Sequence, residues 1–263
     1  MSASPHAPGR AYFERLQDVE RRHWWCRSVR RVALTELERL SGDRPVILDV
    51  GCGAGGFLDH VRRARPAARC FGADFSGEAL GLARAGLAGR LLQASAAVLP
   101  FASDRADAVV LHDVLQHLPA GDDARALAEA RRVLKPGGVL SLRANVGRPV
   151  ETGSASLHRR YDPAGLARLV RDSGLEVEKH VVLHPLAALL GRVRSRVAAP
   201  RPHSHGDEAE GTLAMRLPGD FVNAAMDLYS RIEDAAVARL TNPVGVGDSQ
   251  LLFARKPLSG SAR

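Results

Sequence analysis

Residues 46–60 read VILDVGCGAGGFLDH: an apolar run broken by Asp49, then glycines at 51, 53, 55 and 56, then an amphipathic segment. A glycine inside a regular element costs about 0.5–1 kcal/mol relative to alanine, so such a cluster marks a place where something must approach bare backbone. Strand, glycine turn and helix in that order predict a βα unit with a ligand seated over the turn. A second acid, Asp74, closes the next apolar run, roughly 20 residues beyond the turn, where a carboxylate can accept hydrogen bonds from ribose hydroxyls. An adenosine-containing ligand is the expectation. A dinucleotide fits poorly, because GCGAGG lacks the regular phosphate-cradling order and Asp49 would face a pyrophosphate with like charge. A carboxylate there suits a cationic ligand.

The same alternation continues on both sides. Strands are expected at 46–50, 69–74, 90–93, 107–111, 138–143, within LEVEKHVVLH (175–184) and within SQLLFARKP (249–257); helices are expected at 55–65, 77–85 and 121–134. LKPGG, 134–138, reads as a helix stop and tight turn. Asp162, Pro163 and Gly174 read as the N-cap, first turn and stop of another helix. Upstream, residues 11–40 carry apolar positions at the spacing of two helices, and 185–198 and 218–240 look helical around a Pro/Gly/His-rich loop. Such βα alternation predicts an α/β fold, a mainly parallel sheet covered by helices on both faces.

Composition narrows the function. The 263 residues are 45% hydrophobic, enough for one sizeable domain with additions. No apolar run approaches the roughly 18 residues of a membrane span, and MSASPHAPGR lacks the apolar stretch of a signal peptide, so the expectation is a cytoplasmic protein. The net charge of +8 would suit an anionic partner, but the basic residues are almost all arginine, scattered along helices, which argues against nucleic acid. Cys26, Cys52 and Cys70 have no metal-ligand spacing and read as buried thiols. His203 and His205 stand without further ligands, so no metal site is expected.

ILDVGCGAGGFL, GADFSGEAL, LPFASDRADAVVLHDVLQHL and RRVLKPGGVLSL resemble, in order and spacing, successive motifs of class I S-adenosylmethionine-dependent methyltransferases. ERRHWWCRSVRR, HRRYDPAGLARLVRDSGLEV and LTNPVGVGDSQLLFARKP extend the resemblance to a bacterial small-molecule branch of the type-11 family. It implies a Rossmann-like seven-stranded sheet with S-adenosyl-L-methionine as cofactor. The implied organisation is an N-terminal helical lid (1–44), the cofactor-binding core (45–184), a helical cap (185–247) and the last strand and tail of the core (248–263). The implied reaction is methylation of a small molecule in bacterial specialised or cell-envelope metabolism, oxygen before nitrogen or carbon. No Asn-Pro-Pro-aromatic motif follows strand four, against amide or nucleobase nitrogen. A cofactor-assisted cyclisation or elimination, or a non-catalytic binding protein, are the alternatives, and the 185–240 insertion could instead form a homodimer contact.

By the resemblance, Asp49, Gly51, Cys52 and Gly53 frame the methionine part of the cofactor, Asp74 the ribose and Phe75 the adenine face. Where relatives have an acid that accepts from the adenine amino group, this chain offers Ser95, followed by Ala96. Trp25 is placed in the lid and Arg30 near the methionine carboxylate. Three histidines fall beyond strand ends: His112 as base or orienting group, also lining the methyl, His117 as base or structural hydrogen bonder, and His184 as an acceptor contact. His158, Arg160 and Tyr161 either grip the acceptor or fasten their loop. Gln116 stands where some relatives place a metal-linked glutamate, which argues against a metal.

Overall fold

In a computed structural model, residues 9–40, 42–83, 85–147, 160–189, 217–237, 247 and 249–258 are described. All seven expected strands are present: β1 Val46–Val50, β2 Arg69–Asp74, β3 Leu91–Gln93, β4 Ala106–His112, β5 Leu134–Asn145, β6 Glu176–Leu183 and β7 Ser249–Arg255. They form one sheet in the order β3-β2-β1-β4-β5-β7-β6, parallel except that β7 runs antiparallel to β5 and β6. The order reverses between β2-β1 and β4, which opens a crevice at the carboxyl ends of β1 and β4, where ligands of open α/β sheets sit.

Strand alternation assigns the two faces. Leu48, Leu252 and Ala254 pack with Leu127 of α5 (Asp122–Val133) and with Leu166 and Val170 of α6 (Pro163–Asp172). Ile47 packs with Leu37 of α2 (Trp24–Glu38) and with Leu58 and Val61 of α3 (Gly56–Ala64), while Leu251 and Phe253 pack with Val29 and Val32 of α2. Both faces of the sheet are thus dry, the condition that lets central parallel strands be apolar throughout. The Asp162 side chain accepts the Gly165 N–H and Gly174 ends the segment at φ +82°, as the sequence predicts.

Two local expectations are corrected. LKPGG is not a turn: β5 begins at Leu134, because Lys135 pairs with Asp107, Gly137 N–H donates to Lys256 O, and the Gly137 carbonyl accepts from Arg255. Those tertiary bonds override a local breaker, and the extra residues are absorbed as a bulge between Ala106 and Ala108. The helix expected at 77–85 is a single turn, α4 (Gly77–Leu80), capped by Ser76 and stopped at Gly81.

The N-terminal segment forms α1 (Arg10–Arg22) and α2, separated at His23, whose ring Nδ1 accepts the Trp25 N–H. The helix at Asp220–Val237, α7, is the described part of the segment expected as a cap. It lies along α2: Arg31 donates to Asp227, Ser230 and Asp234, Ser28 donates to Asp234, and Asn223 accepts the Trp24 N–H. No helix among the described residues is long and apolar enough to cross a membrane.

Candidate active site

The glycines of the opening stretch have different reasons. A Cβ on Gly51 (φ +76°) would run into Val114 Cγ2 and one on Gly55 (φ +78°) into Leu87 Cδ1, so these two are bare for packing. At Gly53 (φ +54°) a Cβ would meet nothing within 4 Å: the space above it is open. The turn is held from β2, where Asp74 accepts the Gly53 N–H at 2.7 Å through one oxygen and the Ser76 N–H at 2.8 Å through the other. One carboxylate thereby fixes both walls of the notch, and each oxygen keeps a lone pair for a ligand. Beside it Phe75 is 61% exposed, an unusual state for a large aromatic and an open face for a flat ring.

Asp49 is 4% exposed, and burial, then Asp74 and Glu20, push its carboxyl up to about 8. Cys52 is likewise pushed well up by burial, then by Asp49 and Asp74. A notch whose buried acids raise one another's proton affinity is short of positive charge, and a sulfonium or ammonium supplies it. The site residues therefore fit S-adenosylmethionine. Gly53→Ala separates fit from folding. With no protein atom to meet, the methyl should cost about 1–2 kcal/mol of backbone strain, a few degrees in thermal unfolding, yet lower cofactor affinity tenfold or more by calorimetry.

The remaining predicted residues fall in three places. Arg30, partly buried, donates to Glu20 O at 2.6 Å and shares a 2.7 Å hydrogen bond with His60 Nε2. Ser95 Oγ accepts the Ala97 N–H at 3.2 Å in a narrow turn with Ala96 buried behind it. His112, at the end of β4, shares a 2.9 Å hydrogen bond from Nε2 to Ser141 Oγ and lies 5.2 Å from the Phe57 ring. Burial, then Arg143, push His112 down to about 3, so its imidazole is neutral at physiological pH.

The Trp25 ring faces the Arg143 guanidinium at 3.8 Å. Arg143, missed in the sequence reading, is 2% exposed, donates to Ser249 and Asn145, and pairs with Asp113. Burial lowers it to about 9, so it remains a cation at neutral pH. A lone arginine inside the apolar run VLSLRAN was the available signal. His184 is 1% exposed, packed 4.9 Å from Trp24, with neither ring nitrogen hydrogen bonded; burial, then Arg143 and Arg31, lower it to about 3.

His117 is exposed at the end of a single 3-10 turn beside buried Gln116. Tyr161 OH donates to Leu115 O and Asp123, and its backbone bridges to Val146, so it ties its segment to the sheet. Arg160 is exposed, and His158 lies outside the described residues. Among the described residues, no cluster of three or more His, Cys, Asp or Glu is placed to hold a metal ion.

A curated relative, a release factor glutamine methyltransferase of Deinococcus radiodurans, is 35% identical over 173 residues, 53% of this chain and 61% of its own length. Another curated relative is matched over 34% of its length, so the chain spans less than two thirds of each. Among solved structures, a chain of the complex between the Haloferax volcanii Trm112 methyltransferase activator and a methyltransferase aligns at TM-score 0.59 with 21% identity, over 96% of this chain and 97% of that one. The [4+2]-cyclase SpnF aligns at 0.56 with 24% identity, over 87% and 81%. With the sheet order, these alignments show the class I methyltransferase fold. Residues 48–142 match the family described as Methyltransferase domain, Methyltransf_11.

Proposed function

We propose that this chain transfers a methyl group from S-adenosylmethionine to a small-molecule acceptor, oxygen being the favoured atom. The observation that carries the reading is the open space over Gly53, walled by Asp74, Phe75 and the buried Asp49. When bound there, the cofactor supplies an activated methyl on a cationic sulfur. The chain's own work is to hold the acceptor in line and keep water out, which can account for most of such a rate enhancement.

His112 is the residue we assign to orient the acceptor. Its Nε2 is engaged with Ser141, leaving Nδ1 to receive a hydrogen bond from an acceptor hydroxyl. An imidazole lowered to about 3 by desolvation and by Arg143 is a weak base, so its contribution is positioning. Trp25, Arg143 and His184 line the carboxyl ends beyond it and are our candidates for the acceptor pocket. Arg160 and Tyr161 we assign to fastening their segment, which the Tyr161 bonds support.

The test is S-adenosylhomocysteine formation with labelled cofactor across pools of candidate acceptors. His112→Ala should lower turnover at least tenfold with cofactor affinity unchanged. At saturating cofactor, wild-type turnover should show no acid limb from His112 near the ordinary histidine range, because its imidazole is already neutral there. A limb near pH 6.5 that vanishes in the variant would make it a base of ordinary strength and overturn the assignment. A second reading, cofactor-assisted cyclisation, draws on that same weak base and on the fold shared with SpnF. Product formed without a matching yield of S-adenosylhomocysteine would select it.

A further inference from the structure

The resemblance-based site residues leave out α1, yet α1 reaches the notch. A Cβ built on Gly56, the first residue of α3, would sit 3.6 Å from Glu20 Oε2, so this carboxylate overhangs the start of the helix that follows the glycine turn. Glu20 is partly buried, and its side chain has no hydrogen-bond partner among the described residues, although Arg30 holds its backbone carbonyl at 2.6 Å. Asp49, 4% exposed at the end of β1, is the second acid there without a hydrogen-bonded partner. Asp74, across the turn, is the third acid of the notch, and its oxygens accept the Gly53 and Ser76 N–H groups. Three carboxylates from three elements converge on one notch, and the charged side chain beside them, Arg30, is held at arm's length by His60 and the Glu20 carbonyl.

We propose that Glu20 completes, with Asp49 and Asp74, a three-carboxylate seat for the cationic amino-acid end of S-adenosylmethionine. The proposal rests on the cofactor reading above and deepens it by naming a binding residue on α1. The ammonium and sulfonium together neutralise two of the three acids, and the amino acid's own carboxylate lies within the reach of Arg30, which carries the opposite charge on the neighbouring helix. The seat also makes α1 part of the binding site, so the cofactor is held between the sheet and the N-terminal helices.

Proton linkage follows with a definite sign. Burial chiefly, and Asp74 next among the raising influences, lift Glu20 to about 7 even against Arg30, and Asp49 stands at about 8. The charged or titratable groups facing this cluster are Tyr12 from α1, Cys26 and Arg30 from α2, Cys52 after β1, His60 from α3, and Cys70 and Asp74 from β2. At neutral pH the empty seat therefore retains protons that a cation displaces, so affinity should rise with pH from 6 until the ligand's own ammonium, with an α-amino pKa of about 7.7–8.0, begins to deprotonate.

The experiment is calorimetry on the full chain with three probes: S-adenosylmethionine, S-adenosylhomocysteine and 5′-methylthioadenosine, which lacks the amino acid. Glu20→Gln keeps the shape and removes the charge. It should weaken the first two about tenfold or more, the scale of one charged hydrogen bond, and leave methylthioadenosine within twofold, with fewer protons released at pH 7. Retained methylthioadenosine binding also shows that the variant is folded at the notch. Equal weakening of all three probes, or of none, overturns the role of Glu20 while leaving the cofactor reading intact. Failure of the wild type to bind any of them overturns both.

Discussion

Asp74→Ala should abolish measurable binding of S-adenosylmethionine, a loss of at least 10²–10³-fold by calorimetry. Two separate contributions add. A carboxylate accepting from two ribose hydroxyls contributes about 1.5–3 kcal/mol per charge-assisted bond. Asp74 also accepts the Gly53 and Ser76 N–H groups, so its removal frees both walls of the notch at once. The second contribution should appear without ligand, as a loss of about 1–2 kcal/mol in unfolding stability. Asp74→Asn divides the two, since the amide oxygen can still accept one backbone N–H while the amine opposes the other. Cofactor affinity unchanged in the alanine variant would refute the ribose assignment and, with it, the placement of the nucleoside.

Arg143→Met should be the most destabilising single change at the carboxyl edge of the sheet, by about 3 kcal/mol. The guanidinium is buried, bonded to Ser249 across the β5-β7 pair and to Asn145 along its own strand, paired with Asp113, and covered by the Trp25 ring. Methionine fills the volume and satisfies none of these. Asp113 is part-exposed and can take water, which tempers the loss. Asp113 has φ +61°, a conformation that side chains rarely adopt and that the ion pair helps to hold. Chemical denaturation of the single variants and of the double Asp113→Ala, Arg143→Met chain gives the coupling. A loss below about 1 kcal/mol for Arg143→Met would mean that the network does not hold the β4-β5 ends together.

The sheet was legible from the sequence because each central strand is an apolar run closed by a breaker or an acid, and the notch because Asp49, the glycines and Asp74 are close in sequence. What escaped was set by long-range partners. LKPGG carries every local mark of a turn, yet Asp107, Lys256 and Arg255 pull it into β5. Trp25 reads as a lid residue from its surroundings in sequence, but its position follows from a cation 118 positions later, Arg143. Glu20 looked like one of many helix-surface acids. Only the approach of α1 to the start of α3 brings it to the notch. Ser95, offered as acceptor for the adenine amino group, already accepts the Ala97 N–H in its own turn and keeps a second lone pair.

The bond between α2 and α7 has a bearing on how the enzyme could open. Arg31 is fixed by three groups on a helix nearly 200 positions away, and Ser28 and Trp24 fasten the same seam. Those two helices are cross-tied along their length and rest on Leu251 and Phe253. Against that seam α1 is held by fewer ties, through His23, the Arg30 bond to the Glu20 carbonyl and the Asn223 bond to the Arg22 carbonyl, so α1 is the element best placed to yield to a bulky nucleoside.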